Sequence, residues 1–316
     1  MNESIDKTGV PTVVPVLLSN LRSLYLPWIR WGLRKSYRAR CTATGGVVAV
    51  SLVSLVLCGF GFAAGGAHAE TPEEKAMRIA LEADQSDLGF GSIEVDGEMI
   101  LRDGAGRESR RAFRSMVLER PELDVGDLSI IVFQDPLDMR GIGLLTHSNI
   151  EPENDDQWLY VPSIRRVKRI SSSNQSGKFV ASEFSYEDLG SQEVGDFDRK
   201  WLRDEPCPTD SALTCFVLED YPKNPRSGYS KRITWLDTSE YRTHFIEFYN
   251  RRGDLEKTLT LAGYQQYLDR HWRAHNLNMV NLQTGKSTEL VWTNYGFRTS
   301  LSSRDFTSQH LTRLRR

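Results

Sequence analysis

The sequence predicts a mainly β protein of the α+β class: one large curved antiparallel sheet, a barrel or half-open barrel, covered by a few short helices. Three observations point there. Turn signals recur every eight to fifteen residues between Gly91 and Phe297. Clear helical periodicity is confined to one short stretch near the start of this region. A meander of this length cannot stay flat, because strands twist, so it must curl and have its open face covered.

The chain opens with a leader. Residues 47–64 are almost wholly apolar or small; Arg22, Arg30, Arg34, Lys35, Arg38 and Arg40 precede them, and Ala67-His68-Ala69 follows. A positive region, an apolar run and a small-x-small site make a secretory signal. Residues 1–69 are therefore expected to be a signal peptide with an extended basic region, and 70–316 a single exported domain that works outside the cytoplasm. The alternative is an uncleaved N-terminal membrane anchor, since the apolar run approaches the length of a span. Cys58 follows the bulky Leu57, which argues against a lipidation site.

Beyond the leader, Thr71-Pro72-Glu73-Glu74 is a capping box with proline at the first helical position. Ala76, Met77, Ile79 and Ala80 continue it as an apolar stripe to about Ala83. Residues 91–101 and 108–118 flank Asp103-Gly104-Ala105-Gly106, a hairpin turn. Residues 128–133 and 141–146 pair around Asp135-Pro136, and 158–161 form a strand stopped by Pro162. The stretch 171–177 reads as a polar loop and 197–204 as a short helix. A meander then runs through 214–219, 230–236, 242–249, 255–268, 272–282 and 287–297. Alternation puts Ile233 with Trp235, His271 with Arg273 and His275, and Trp292 opposite Tyr295. Residues 305–314 close the chain as a helix.

Without the leader, 33 of the 40 basic and 40 of the 42 acidic residues remain, a net charge of −7. That excludes general nucleic-acid binding, which needs a basic surface. Two of the four cysteines lie in the leader; Cys207 and Cys215 remain and are predicted to form one local disulfide, contributing about 2–3 kcal/mol by chain entropy.

The patterns of catalysis are missing. There is no Gly-x-Ser-x-Gly elbow, no Walker loop and no dinucleotide fingerprint. His271 and His275 have the spacing of a metal pair, but no third ligand lies nearby, so a solvated strand face is the simpler reading. The acidic run 151–156 lacks the spaced ligands of a calcium loop and reads as a turn. No enzyme activity, metal or cofactor is expected.

One segment carries a resemblance. Asp156-Gln157-Trp158-Leu159-Tyr160-Val161-Pro162-Ser163-Ile164-Arg165-Arg166-Val167-Lys168-Arg169-Ile170 is followed by Phe184-Ser185-Tyr186-Glu187-Asp188-Leu189. An aromatic strand, a proline stop, a basic cluster, a loop and an aromatic-acidic stretch in this order resemble the outer membrane lipoprotein-sorting protein family, whose members are similar to the periplasmic carrier LolA. The resemblance implies a half-open barrel around an apolar cavity, lidded by short helices. It implies a carrier that holds the acyl chains of lipoproteins or other lipidated cargo and hands them from an inner-membrane transporter to an outer-membrane acceptor. Burial of a chain gains about 0.8 kcal/mol per CH₂, so such cargo cannot cross water unaided.

The cavity candidates are Trp158, Tyr160, Trp235, Phe245, Trp272 and Trp292, aromatic strand positions whose inward or outward facing depends on register. Arg165, Arg166, Lys168 and Arg169 have three readings: ion pairs with Glu187 and Asp188, a gate at the cavity mouth, or contact with anionic headgroups or a membrane partner. A different reading of the whole chain is an accessory subunit that docks on an inner-membrane export complex of the RND or MMPL type without carrying lipid.

Overall fold

Thr71 caps the first helix among the described residues. Its N–H donates to the Glu74 carboxylate at 2.9 Å and its hydroxyl accepts from the Glu74 N–H at 3.2 Å, so the predicted capping box forms. Helix α1 then runs Pro72–Asp87, one turn beyond the apolar stripe. The computed structural model describes residues 69–120, 125–150 and 154–314. The expected leader up to residue 68 lies outside the described residues, as do residues 151–153 of the acidic run.

Fifteen strands follow among the described residues. They are β1 (Ser92–Arg102), β2 (Glu108–Leu118), β3 (Leu128–Asp135), β4 (Gly143–His147), β5 (Asp156–Val161), β6 (Arg166–Ile170), β7 (Phe197–Cys207), β8 (Asp210–Pro222), β9 (Tyr229–Asp237), β10 (Thr243–Asn250), β11 (Leu255–Ala262), β12 (Gln265–Tyr267), β13 (His271–Arg273), β14 (Asn276–Asn281) and β15 (Ser287–Phe297). A short helix α2 (Ser308–Leu311) ends the chain. Thirteen strands form one antiparallel sheet in the order β6-β5-β4-β3-β2-β1-β15-β14-β11-β10-β9-β8-β7; β12 and β13 make a separate pair. The sheet is open, with β6 and β7 as its edges, and is not closed into a barrel.

Paired residues share a face, so the register assigns two sides. The inner face carries Met99, Phe113, Phe133, Leu144, Phe248, Leu259, Met279 and Leu290. At the β7–β9 end the same side carries Leu218 and Leu236, and α1 covers them with Ala76 and Ile79. The outer face of β2–β5 carries Met116, Ile130, Leu145 and Tyr160, closed off by Phe306 and Leu311 from the C-terminal turns.

Four expectations change. Residues 197–204 are not helical: they belong to β7, which pairs along its length with β8 and is tied to it by the Cys207–Cys215 disulfide. Cross-strand hydrogen bonds and inward Phe197 and Trp201 override the weak helical pattern. The long strands 255–268 and 272–282 each break, because Gly263 at φ +67° turns the chain out of the sheet and β12–β13 pair with each other. Trp292 and Tyr295 lie on one side, not two: a register shift between Glu94 and Asp96 adds a residue to β15 and brings both against Phe90, Ile93 and Val95. At the C-terminus only Ser308–Leu311 is α-helical.

One glycine is fixed by packing. Gly97 on β1 faces Phe113 on β2, and a Cβ there would lie 2.3 Å from the Phe113 ring, which is 1% exposed and wedged edge-on against Trp292 at 5.0 Å. Gly97→Val should therefore destabilise the fold by about 1–3 kcal/mol, as overpacking does, with an unchanged denaturant slope in urea unfolding.

Candidate functional site

The inner face is covered, over its widest part, by the segment that joins β6 to β7. This segment is short of regular structure: it consists of 3₁₀ turns at Ser172–Asn174, Phe179–Ala181, Glu187–Leu189 and Val194–Asp196. Between the first and third, Lys178 and Ser185 form an isolated bridge, and the Phe179 N–H donates to the Phe184 carbonyl at 2.8 Å. The resulting knot presents Phe179 and Phe184, 0% and 2% exposed, to the sheet. Phe179 stacks on Phe133 at 5.8 Å and meets Tyr186 edge-on at 5.6 Å. Val180 and Ala181 sit at φ +41° and +65°, a region that costs a non-glycine residue about 1–2 kcal/mol, so the sheet contacts hold this plug in a conformation it would not choose alone.

Polar groups latch the plug to the sheet. The Asp188 carboxylate accepts from the Lys257 ammonium at 2.7 Å, from the Ser185 N–H and hydroxyl at 2.7 Å each, and from the Tyr229 hydroxyl at 2.8 Å. Both side chains of the ion pair are 6% exposed. Burial pushes the Asp188 carboxyl up, but the Lys257 charge and the Ser185 donors outweigh it and hold it below its ordinary value. Lys257 also donates to the Glu183 carbonyl at 3.0 Å. Glu183, itself 4% exposed, accepts from Asn281 at 3.1 Å and from Lys178 at 2.6 Å, and its N–H donates to the Thr288 hydroxyl at 2.9 Å.

Where the plug returns to β7, carboxylates crowd. Burial, then the neighbouring Asp196 and Glu193, pushes Asp155 up to about 7. Burial likewise brings Asp196 and Asp127 up to about 6, with Glu193 adding to both. Of these carboxylates Asp155 and Asp196 line a cleft of ≈ 190 Å³, together with Glu187, Asp188 and Tyr229. Among the described residues no three His, Cys, Asp or Glu side chains converge to hold a metal ion.

The predicted aromatics are distributed as follows. Trp292 is on the inner face, against Phe113. Trp158 and Tyr160 lie on the outer face beneath the C-terminal turns, Trp158 edge-on to His147 at 4.9 Å. Trp235 and Phe245 are also on the outer face, next to the Cys207–Cys215 disulfide, with the Trp235 indole donating to Glu205 at 2.7 Å. Trp272 is on β13, donating to Glu240 at 3.1 Å, and lines a second cleft of ≈ 310 Å³ beside the end of α1. His271 is 1% exposed and stacked on Phe297, and His275 accepts or donates with the Tyr267 hydroxyl at 2.9 Å, so neither occupies a solvated strand face. Arg165, Arg166, Lys168 and Arg169 do not meet Glu187 or Asp188: Asp188 takes Lys257, Glu187 accepts the Gly228 N–H at 2.9 Å, and Arg169 pairs with Asp156. No motif in the sequence singles out Lys257, Glu183, Asn281, Thr288 or Tyr229. Lys257 had a signal, a lysine in phase with Leu255, Leu259 and Leu261 where alternation demands an apolar residue.

The fold has counterparts among solved structures. A domain of an outer membrane lipoprotein-sorting protein from Vibrio parahaemolyticus is 44% identical, covering 76% of this chain and 99% of its own, with a TM-score of 0.73. The chain belongs to the outer membrane lipoprotein-sorting protein family. A family model described only as an uncharacterized protein matches residues 126–313. Two further solved structures share the fold of this family member: a DUF1329 family protein from Desulfovibrio piger (24% identity, 76% of this chain, 99% of that one, TM-score 0.71) and a LolA superfamily protein from Nitrosomonas europaea (23%, 74%, 98%, 0.58). No curated protein matches. The family-like segment 156–170 is the β5–β6 edge hairpin, and Phe184–Leu189 lies in the plug against the inner face.

Two outcomes follow from the latch and the carboxylates. Lys257→Met should cost about 3–5 kcal/mol in urea unfolding, because it strands a buried Asp188 charge, and adding Asp188→Leu should recover most of that loss. Unfolded carboxyls titrate near 4, whereas Asp155, Asp196 and Asp127 do so at about 6–7, so the folded state holds extra protons between those values. Their contribution therefore falls as pH rises through that window. The melting temperature should be higher at pH 5 than at pH 8, and Asp155→Asn should flatten the difference.

Proposed function

We propose that this protein is a non-enzymatic periplasmic carrier that takes the acyl chains of lipoproteins, or other lipidated cargo, onto the inner face of its sheet. The observation that carries the reading is what covers that face. Eight large apolar side chains face a segment that has almost no regular structure and holds two residues at unfavourable φ. A cover of this kind is exchangeable in a way that a packed strand is not, since few main-chain hydrogen bonds bind it to the sheet. Cargo chains replace Phe179 and Phe184 with equivalent apolar contact, so the exchange costs little hydrophobic energy. The remaining barrier is the latch, above all Lys257 with Asp188.

Family membership supports the same reading. No helix among the described residues is long and apolar enough to cross a membrane. An exported leader would deliver the domain to the compartment where such cargo must be moved. Transfer from an inner-membrane transporter to an outer-membrane acceptor is the step this carrier would serve.

Lipid extraction and native mass spectrometry of the chain isolated from the cell envelope should find bound acyl species. Asp188→Asn, which weakens the latch and adds no bulk, should increase uptake of a fluorescent fatty acid several-fold. A clean apo mass with no uptake by either form would sink the carrier reading.

A further inference from the structure

The two most exposed large apolar side chains among the described residues are Leu137, at 75%, and Ile164, at 62%. They are not scattered. Leu137 tips the turn between β3 and β4, and Ile164 tips the turn between β5 and β6. Val132 pairs with Gly143 and Gly143 with Tyr160, so both turns project from the same end of the sheet, two strand spacings apart, about 10 Å. Both are held firmly. The Pro136 carbonyl accepts from the Met139 and Arg140 N–H groups at 3.0 Å each, and the Pro162 carbonyl accepts from the Arg165 N–H at 3.1 Å.

Cations surround the two tips. Arg140 follows Leu137 by three residues in the same connection, and Arg165, Arg166 and Lys168 follow Ile164 in the turn and the first residues of β6, all exposed. Among the described residues no acidic side chain pairs with Arg165, Arg166 or Lys168. Asp135 and Asp138 are the nearby acids on the first turn; Asp135 is 3.9 Å from Arg140. This end is therefore locally positive on a domain whose net charge is negative. Charges on an edge strand such as β6 also discourage pairing with other sheets, which would account for the cations but not for the apolar tips beside them.

From this juxtaposition of two rigid apolar tips in a cationic rim we infer that this end of the sheet docks reversibly on an anionic lipid bilayer. The apolar side chains enter the interface and the guanidinium and ammonium groups meet lipid phosphates. Neither signal alone holds a protein at a membrane; together they give weak, salt-sensitive binding. The inference concerns where the molecule rests, and stands apart from what it carries.

Hydrogen exchange on the full chain tests it by position, independently of residues 1–69. With vesicles of phosphatidylcholine and phosphatidylglycerol, amides at 137–142 and 163–170 should exchange more slowly than without vesicles. Phosphatidylcholine alone should give no protection, and neither should added salt with the anionic vesicles. Leu137→Ser with Ile164→Ser, and separately Arg165→Glu with Arg166→Glu, should abolish the effect; both pairs are exposed and leave the fold intact. Unchanged exchange in these turns with anionic vesicles would overturn the inference. Protection by detergent-solubilised envelope proteins but not by vesicles would overturn it in favour of a protein partner.

Discussion

An open sheet with an apolar inner face must be covered by something, and the rest of this structure answers that demand. A closed barrel would bury its own interior. Here the strand order ends at β6 and β7, and the face between them carries Met99, Phe113, Phe133, Leu259, Met279 and Leu290. Helix α1 covers the β7–β9 end, and the plug covers the rest. Apolar contact is non-directional and would let the plug settle in several places. The hydrogen bonds of Asp188 and Glu183 to Lys257, Tyr229, Asn281 and Thr288 fix one position. Cover and latch thus solve different parts of the problem, and both are built from one short stretch of chain.

Much of the sheet was legible because alternation and turn chemistry are local. Thr71 and Glu74 announced the helix, Asp103-Gly104-Ala105-Gly106 announced the first hairpin, and Cys207 and Cys215 announced their bond. What escaped was set at long range. No local pattern shows that Gly263 turns two strands out of the sheet, or that a bulge opposite Glu94 moves Tyr295 to the side of Trp292. The site was less legible than the fold. Aromatic residues attract notice, yet Trp158, Tyr160, Trp235 and Phe245 are outward, while the group that grips the plug is a lysine. Its significance comes from a partner 69 residues away.

The family-like segment proves to be two devices rather than one. Its first half makes an edge hairpin ending in a proline turn, and its second half supplies Phe184, Tyr186 and Asp188 to the inner face. Their nearness in sequence reflects connectivity, since the chain must leave β6 before it can cross the sheet. A basic cluster and an acidic stretch so close together invite pairing on paper. In space the cations remain at the rim and the acids turn inward, Asp188 to the buried Lys257 and Glu187 to the Gly228 N–H.

The plug joins β6 to β7, and these are the two outermost strands. It is therefore strung across the sheet like the string of a bow, fastened at both tips. Such a string can lift from the wood but cannot come away, and its reach is bounded by about 3.3–3.6 Å per residue of slack. Whatever enters beneath it meets a ceiling set by contour length rather than by the strength of any contact. Pushing the string outward would also pull on both limbs, so the height of the plug above the face and the curvature of the sheet would change together.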